Sequence, residues 1–206
     1  MSNPNGITQA TPSRIPFGAG FFFHGVPYSE TVAPTLEAMK AGLMGATQEG
    51  SSLNITPEFF APPLDGALVA IKELQRKVGE VAEMEVNFAE LTSALIAWMA
   101  IAKVSDSEDG NYDVITSSDL TAGHFIEGFG FYGEHMDGRP MIVLFKNALC
   151  TSGFPMENKN KTNSVLKGTF ACQSDIEYGT TKLPYAIFIR KEEGWVAVEP
   201  EEVAAA

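Results

Sequence analysis

The chain predicts a mainly β protein, a β-sandwich or open barrel with one α-helix packed against its side. Three observations predict it. Between Ala82 and Phe88 the apolar residues Ala82, Met84, Val86 and Phe88 alternate with Glu83, Glu85 and Asn87, the period-two pattern of a strand with one dry and one wet face. From Leu91 the period changes, and Leu91, Leu95, Trp98 and Met99 recur at helical spacing behind Thr92, whose hydroxyl suits an N-cap. Elsewhere short apolar runs separated by Gly, Pro and Asn clusters recur, giving seven to nine strands and one helix of roughly ten residues.

In chain order, residues 1–14 are small and polar and read as a loose arm. Ile15–Val26, with Phe21, Phe22 and Phe23 in succession, is strand-like. Gly18 and Gly20 begin a dinucleotide fingerprint that fails, because the third glycine is missing and no helical pattern follows. Residues 27–50 carry little pattern and read as a long loop, a candidate for contact with another subunit, within which Thr35–Ala41 admits a short helix. Ser51–Phe60 is a strand ended by Ala61-Pro62-Pro63 and the Asp65-Gly66 turn. Leu68–Leu74 forms a second strand, and the polar Gln75–Glu80 connects it to Ala82–Phe88 as a hairpin.

After the helix, Ser105–Asn111 is an acidic turn and Tyr112–Ile115 a short pairing segment. His124–Tyr132 is an aromatic strand, and Gly133–Pro140 turns on Asp137-Gly138. Met141–Cys150 is apolar on alternate and intervening positions alike, as an inner strand covered on both faces would be. Residues 156–164 are polar and lead into Val165–Gln173. Leu183–Arg190 closes the domain, which spans 15–190, and 191–206 form a flexible acidic tail.

At 206 residues, with 45% hydrophobic and 10% aromatic residues, the chain has the material for one core. A net charge of −12 opposes adhesion to duplex nucleic acid or an anionic membrane, both of which are bound by Lys and Arg. No apolar run reaches the ~18 residues of a membrane helix and the amino terminus lacks a signal-type segment, so the expected site of synthesis is a cytoplasm. Cys150 and Cys172 lie in strand-like runs without ligand spacing and read as free thiols. No catalytic motif is found, and no catalytic, cofactor or metal residue is assigned. Two groups of residues offer a chemical reading. His24, His124 and His135 could converge on a metal in a cupin-like barrel, but lack the close His-x-His pair such sites use. Glu83 and Glu85 could share a proton in a cleft, but read better as solvated charges.

The segments ELQRKVGEVAEMEVNFAELTSALIAW, EGFGFYGEHMDGRPMIVLFKNALCTSGFPMENKNKTNSVLKGTFACQSD and LPYAIFIR, spread over residues 40–190, resemble the tail tube proteins of long-tailed bacteriophages. The features are an acidic-apolar strand running into a short helix, an apolar strand ending in Lys-Asn-Ala, a Lys/Asn-rich hairpin, a Val-Leu-Lys-Gly-Thr-Phe strand and an aromatic closing strand. The tube proteins of type VI secretion systems and tailocins share that fold. The resemblance implies hexameric rings stacked into a tube in the virion tail, assembled in the host bacterial cytoplasm. DNA passes through the lumen without specific binding. Self-association, tape measure and tail terminator proteins and a sheath protein are the implied partners. On this reading Glu73, Glu83, Glu85 and Asn87 face the lumen, while Leu91, Leu95, Trp98 and Met99 pack the helix on the sandwich. A tail completion or head decoration protein is the nearest alternative.

Overall fold

The computed structural model describes residues 7–8, 11, 14–65, 69–156 and 164–191. The strands are β1 (Pro16–Phe23), β2 (Thr47–Phe60), β3 (Arg76–Phe88), β4 (Ala102–Asp106), β5 (Asp113–Ser117), β6 (Ile126–His135), β7 (Pro140–Cys150), β8 (Leu166–Gln173) and β9 (Tyr185–Ile189). The helices are α1 (Leu36–Ala41) and α2 (Ser93–Ala100), with single 3-10 turns at Lys72–Leu74 and Ala122–His124. The expected arm over 1–14, the Lys/Asn-rich turn at 156–164 and the tail over 191–206 lie largely outside the described residues.

Seven strands form one antiparallel sheet in the order β1-β6-β7-β8-β3-β2, with β9 also paired to β7, while β4 and β5 form a separate hairpin. On one side β7 pairs with β6 along most of its length. On the other its first half, Met141–Phe145, takes β9, and its last residues, Asn147–Cys150, take β8. The sheet does not stay flat. At the usual strand spacing β1 and β3 would stand about 19 Å apart, yet the rings of Phe22 on β1 and Phe88 on β3 have centroids 6.3 Å apart. The sheet is therefore coiled into an open barrel, and β1 and β2 are its two lips.

The interior of the coil holds the larger core. Phe22, Met84, Val86, Phe88, Phe129, Phe145 and Phe170 are buried there together. Phe129 sits between Phe170, 4.8 Å away, and Phe22, 5.8 Å away. Such offset ring pairs add modestly to the area term. A smaller core on the outer face unites Phe23, Val26, Met39, Ile142 and Leu144 under α1. Strand β7 serves both: Val143 and Phe145 face the coil, Ile142 and Leu144 face α1. This is why its sequence shows no alternation.

Thr92 caps α2 as its position predicts, accepting from the Leu95 N–H at 3.2 Å. Leu95 and Met99 are buried in the larger core and Trp98 packs at its border. Leu91 precedes the helix and is 48% exposed, so it is not part of the buried stripe. The helix has eight residues. It stops at Ile101, whose left-handed φ of +50° turns the chain into β4.

Four expectations need correction. The segment 69–74 is not a strand: Lys72–Leu74 form a 3-10 turn, and Leu68 lies outside the described residues. The polar Gln75–Glu80 is not a connection, because β3 already begins at Arg76 and pairs with β2 from Phe60↔Arg76 to Thr47↔Phe88. Strand β2 starts at Thr47, inside the expected loop. Strand β6 runs on to His135, leaving only Met136–Arg139 for the turn. A second short helix, α1, is capped by Thr35, whose side chain accepts from the Ala38 N–H at 3.3 Å.

Candidate assembly surface

The alternation in β3 sorts its residues onto two faces. Ala82, Met84, Val86 and Phe88 are buried inside the coil. Glu83, Glu85 and Asn87 point outward, flanked in register by Asn54 and Ser52 of β2 and by Ala171, Thr169 and Lys167 of β8. The result is a polar outer face across three strands. Its charges are partly offset: Lys167 Nζ lies 3.2 Å from Glu85 Oε2. Asn87 Nδ2 donates to the Gly50 carbonyl at 3.1 Å. That bond bridges an irregular stretch of β2, where the register passes from Thr47↔Phe88 to Ser51↔Val86 and Glu49 and Gly50 take φ of +62° and +81°. Glu73 lies on the exposed 3-10 turn before β3, off this strand face.

Beyond Pro57, whose partner Glu80 is still held to the body by the Tyr185 hydroxyl at 3.1 Å, the β2–β3 pair stands out from the domain as an arm. Apart from half-buried Ile55, every β2 residue from Leu53 to Phe60 is exposed, and so are Arg76–Val78 opposite. Large apolar side chains stand in solvent on it: Phe59 is 63% exposed, Phe60 53% and Val78 63%. The pairing slips between Glu58 and Phe59, leaving Val78 as the extra residue of a bulge. Such bulges accentuate strand twist and redirect side chains. Among the described residues no strand pairs with the outer edge of β2, so a row of backbone N–H and C=O groups faces away from the sheet, an arrangement that invites pairing with another chain.

Between the lips of the barrel, β1 and β2, runs a groove of about 420 Å³. Phe22, Met84, Phe131, Met141 and Val143 form its floor, with Glu49 and Glu134 among its polar walls. Two glycines keep it open. A Cβ on Gly133 would stand 2.7 Å from the Phe131 ring, and one on Gly20 would stand 2.1 Å from the Tyr132 carbonyl oxygen and 2.4 Å from the same ring.

The histidines do not converge. His124 and His135 stand at opposite ends of β6, roughly 30 Å apart along a strand, which removes the geometry a cupin-like metal site would need. His124 has a structural role. Its Nδ1 accepts from the Thr121 N–H at 3.0 Å, which puts the proton on Nε2, 3.3 Å from the Ala102 carbonyl that it serves. His24 stands edge-on to Trp98 with centroids 5.0 Å apart, and burial holds its pKa below the usual value. Among the described residues no group of three or more His, Cys, Asp or Glu side chains is placed to hold a metal. Among the described residues no helix is long and apolar enough to cross a membrane.

A second polar cluster ties the 174–179 loop to the body. Lys146 Nζ lies 2.7 Å from Asp175 Oδ2 and 5.6 Å from the centroid of Tyr178. Asp175 Oδ1 accepts from the Tyr178 N–H at 2.8 Å, and the Tyr178 hydroxyl donates to Glu30. Lys146 neutralises Asp175, and the Tyr178 bond to Glu30 closes the cluster as a latch. Nothing in its sequence spacing announced it, since its members are drawn from 30, 146 and 175–178. The groove was equally silent, being made by the coiling of the whole sheet.

No protein-family model matches the chain, and no curated protein matches it. Among solved structures it is similar to a chain of the virion of a native gene transfer agent (GTA) particle, with 10% identity and a TM-score of 0.38, over 84% of this chain and 95% of that one.

Proposed function

We propose that this protein is a virion structural subunit of a tail tube, closing into hexameric rings that stack around a channel for DNA. The observation that carries this reading is the β2–β3 arm, with its unpaired outer edge and its apolar residues exposed on both faces. A single chain leaves those groups in water. Copies of itself arranged in a ring would cover the apolar surface and complete the edge. In this arrangement the polar face carrying Glu83, Glu85 and Asn87 lines the bore, and Glu73, on the turn before β3, adds a carboxylate beside it. A wall of that kind repels phosphate over a Debye length of about 8 Å at physiological salt, so the polyanion slides without adhering. Tape measure and terminator proteins would set the tube's length and cap it, and a sheath would surround it in a contractile tail.

Negative-stain microscopy of the concentrated protein tests the reading, with hollow rods or rings as the expected image. Particles that stay single at every concentration would favour the second reading, a tail completion or head decoration protein, which has the same strand-rich make-up but does not polymerise.

A further inference from the structure

We infer that the apolar arm of one copy seats in the groove between β1 and β2 of the next, making a head-to-tail contact. The inference rests on the tube-subunit reading and specifies its joint. Three observations support it. First, the arm and the groove are matched in character: Phe59 and Phe60 project from one, and Phe22, Met84, Phe131, Met141 and Val143 floor the other.

Second, the tip of the arm carries a cation that the groove can meet. Phe60 pairs in register with Arg76, while Lys77, opposite Phe59, is already matched within the chain by Glu80, Nζ to Oε1 at 2.7 Å. The groove's walls include the carboxylates of Glu49 and Glu134. Glu49 holds its place at a left-handed φ of +62°, a conformation that a non-glycine residue keeps only where its surroundings impose it.

Third, the arm cannot serve its own groove. The groove ends along β2 at Leu53, and Phe60 lies seven residues further, about 23 Å away at the usual rise of a strand. The donor and the acceptor are therefore different copies. Two unlike surfaces in contact give a heterologous interface, which propagates from copy to copy and closes only as a ring.

The experiment is complementation between two variants. Phe59→Ser with Phe60→Ser disables the arm, and these exposed positions leave the core untouched. Ser51→Trp fills the groove from the exposed β2 edge. Gly133→Ala is a second block, since its added methyl would push the Phe131 ring from 2.7 Å away. Each variant, checked for wild-type circular dichroism, is followed by sedimentation velocity. Alone, each loses self-association by on the order of tenfold or more, the effect of removing a buried aromatic anchor. Mixed in equal amounts, they form pairs of twice the 22.2 kDa chain mass and nothing larger, because one intact arm meets one intact groove. If the wild type assembles but the mixture does not pair, or if either variant assembles as the wild type does, the arm-in-groove joint is wrong and the tube reading stands. A wild type that remains monomeric at high concentration sinks both.

Discussion

Lys167 on β8 reaches Glu85 on β3, Nζ to Oε2 at 3.2 Å, so one of the two strand carboxylates on the proposed bore face already carries a counter-charge from the same chain. Both side chains are well exposed, and an exposed pair of this kind is worth about 0–1 kcal/mol. Lys167→Met should therefore leave the urea midpoint nearly unchanged while making the face more acidic by one charge. Reversing the face with Glu83→Lys and Glu85→Lys should permit assembly but slow DNA ejection, most strongly at low salt. An ejection rate indifferent to both charge and salt would place this face away from the DNA.

Leu95 is, with Met99, one of the two buried residues of α2, 1% exposed within the larger core. Replacing it by alanine should cost about 2–5 kcal/mol, the range for emptying a packed leucine site. Thr92→Ala, which removes the cap to the Leu95 N–H, should cost roughly 1 kcal/mol. Chemical denaturation of the single chain separates the two. An equal loss for both would mean that the helix is held by its cap rather than by its packing.

How far the sequence could be read depended on where one side of an element is dry. Ala82–Phe88 has a buried face and announced itself; the first half of the same strand, Arg76–Val81, has none in the single chain and reads as a polar connection. The same holds for Thr47–Gly50, where β2 is irregular and wet and its pattern resembles a loop. Leu95 and Met99 were legible as a helix stripe because they face the core. Leu91 continued the spacing by coincidence, two residues before the helix starts. Helix α1, at six residues, is too short for a full stripe, yet Thr35–Ala41 was still legible as a short helix, which Thr35 caps. The groove was invisible because it depends on how far the sheet coils, which brings Phe22 to Phe88 across four strand steps.

The Asp175 latch should give the protein an acid limb. Its carboxyl is held below the usual range, first by the hydrogen bond from Lys146 and then by the Tyr178 N–H. A folded-state pKa below the unfolded one, about 3.9, means that the stabilisation is complete above that value and is lost as pH falls through the folded pKa. Asp175→Asn should therefore lower the urea midpoint at pH 6 to 7, with the two curves converging toward pH 2. A constant gap across that range would show that the latch works through shape and not through charge.

His135 is 7% exposed, and neither ring nitrogen meets a hydrogen-bond partner among the described residues. A buried polar group in that state costs about 1–3 kcal/mol in lost hydration. His135→Phe keeps a planar ring and removes the polar atoms, so the melting temperature should rise. A fall would mean that the imidazole is supported by something that a phenyl ring cannot replace.

Cys172 is buried beside Pro184, with its Sγ 3.7 Å from that carbonyl oxygen, and burial pushes its thiol up to about 12. The nucleophile toward disulfide reagents is the thiolate, whose fraction at pH 8 is then about one part in ten thousand. Ellman's reagent should accordingly react with the folded protein only as fast as the site opens, and the rate should climb with urea in parallel with unfolding. Cys150 is also buried, so a Cys150→Ser variant isolates the slow thiol. Prompt, stoichiometric labelling of that variant in native buffer would mean that the strand pairing of Ala148 with Cys172 opens readily.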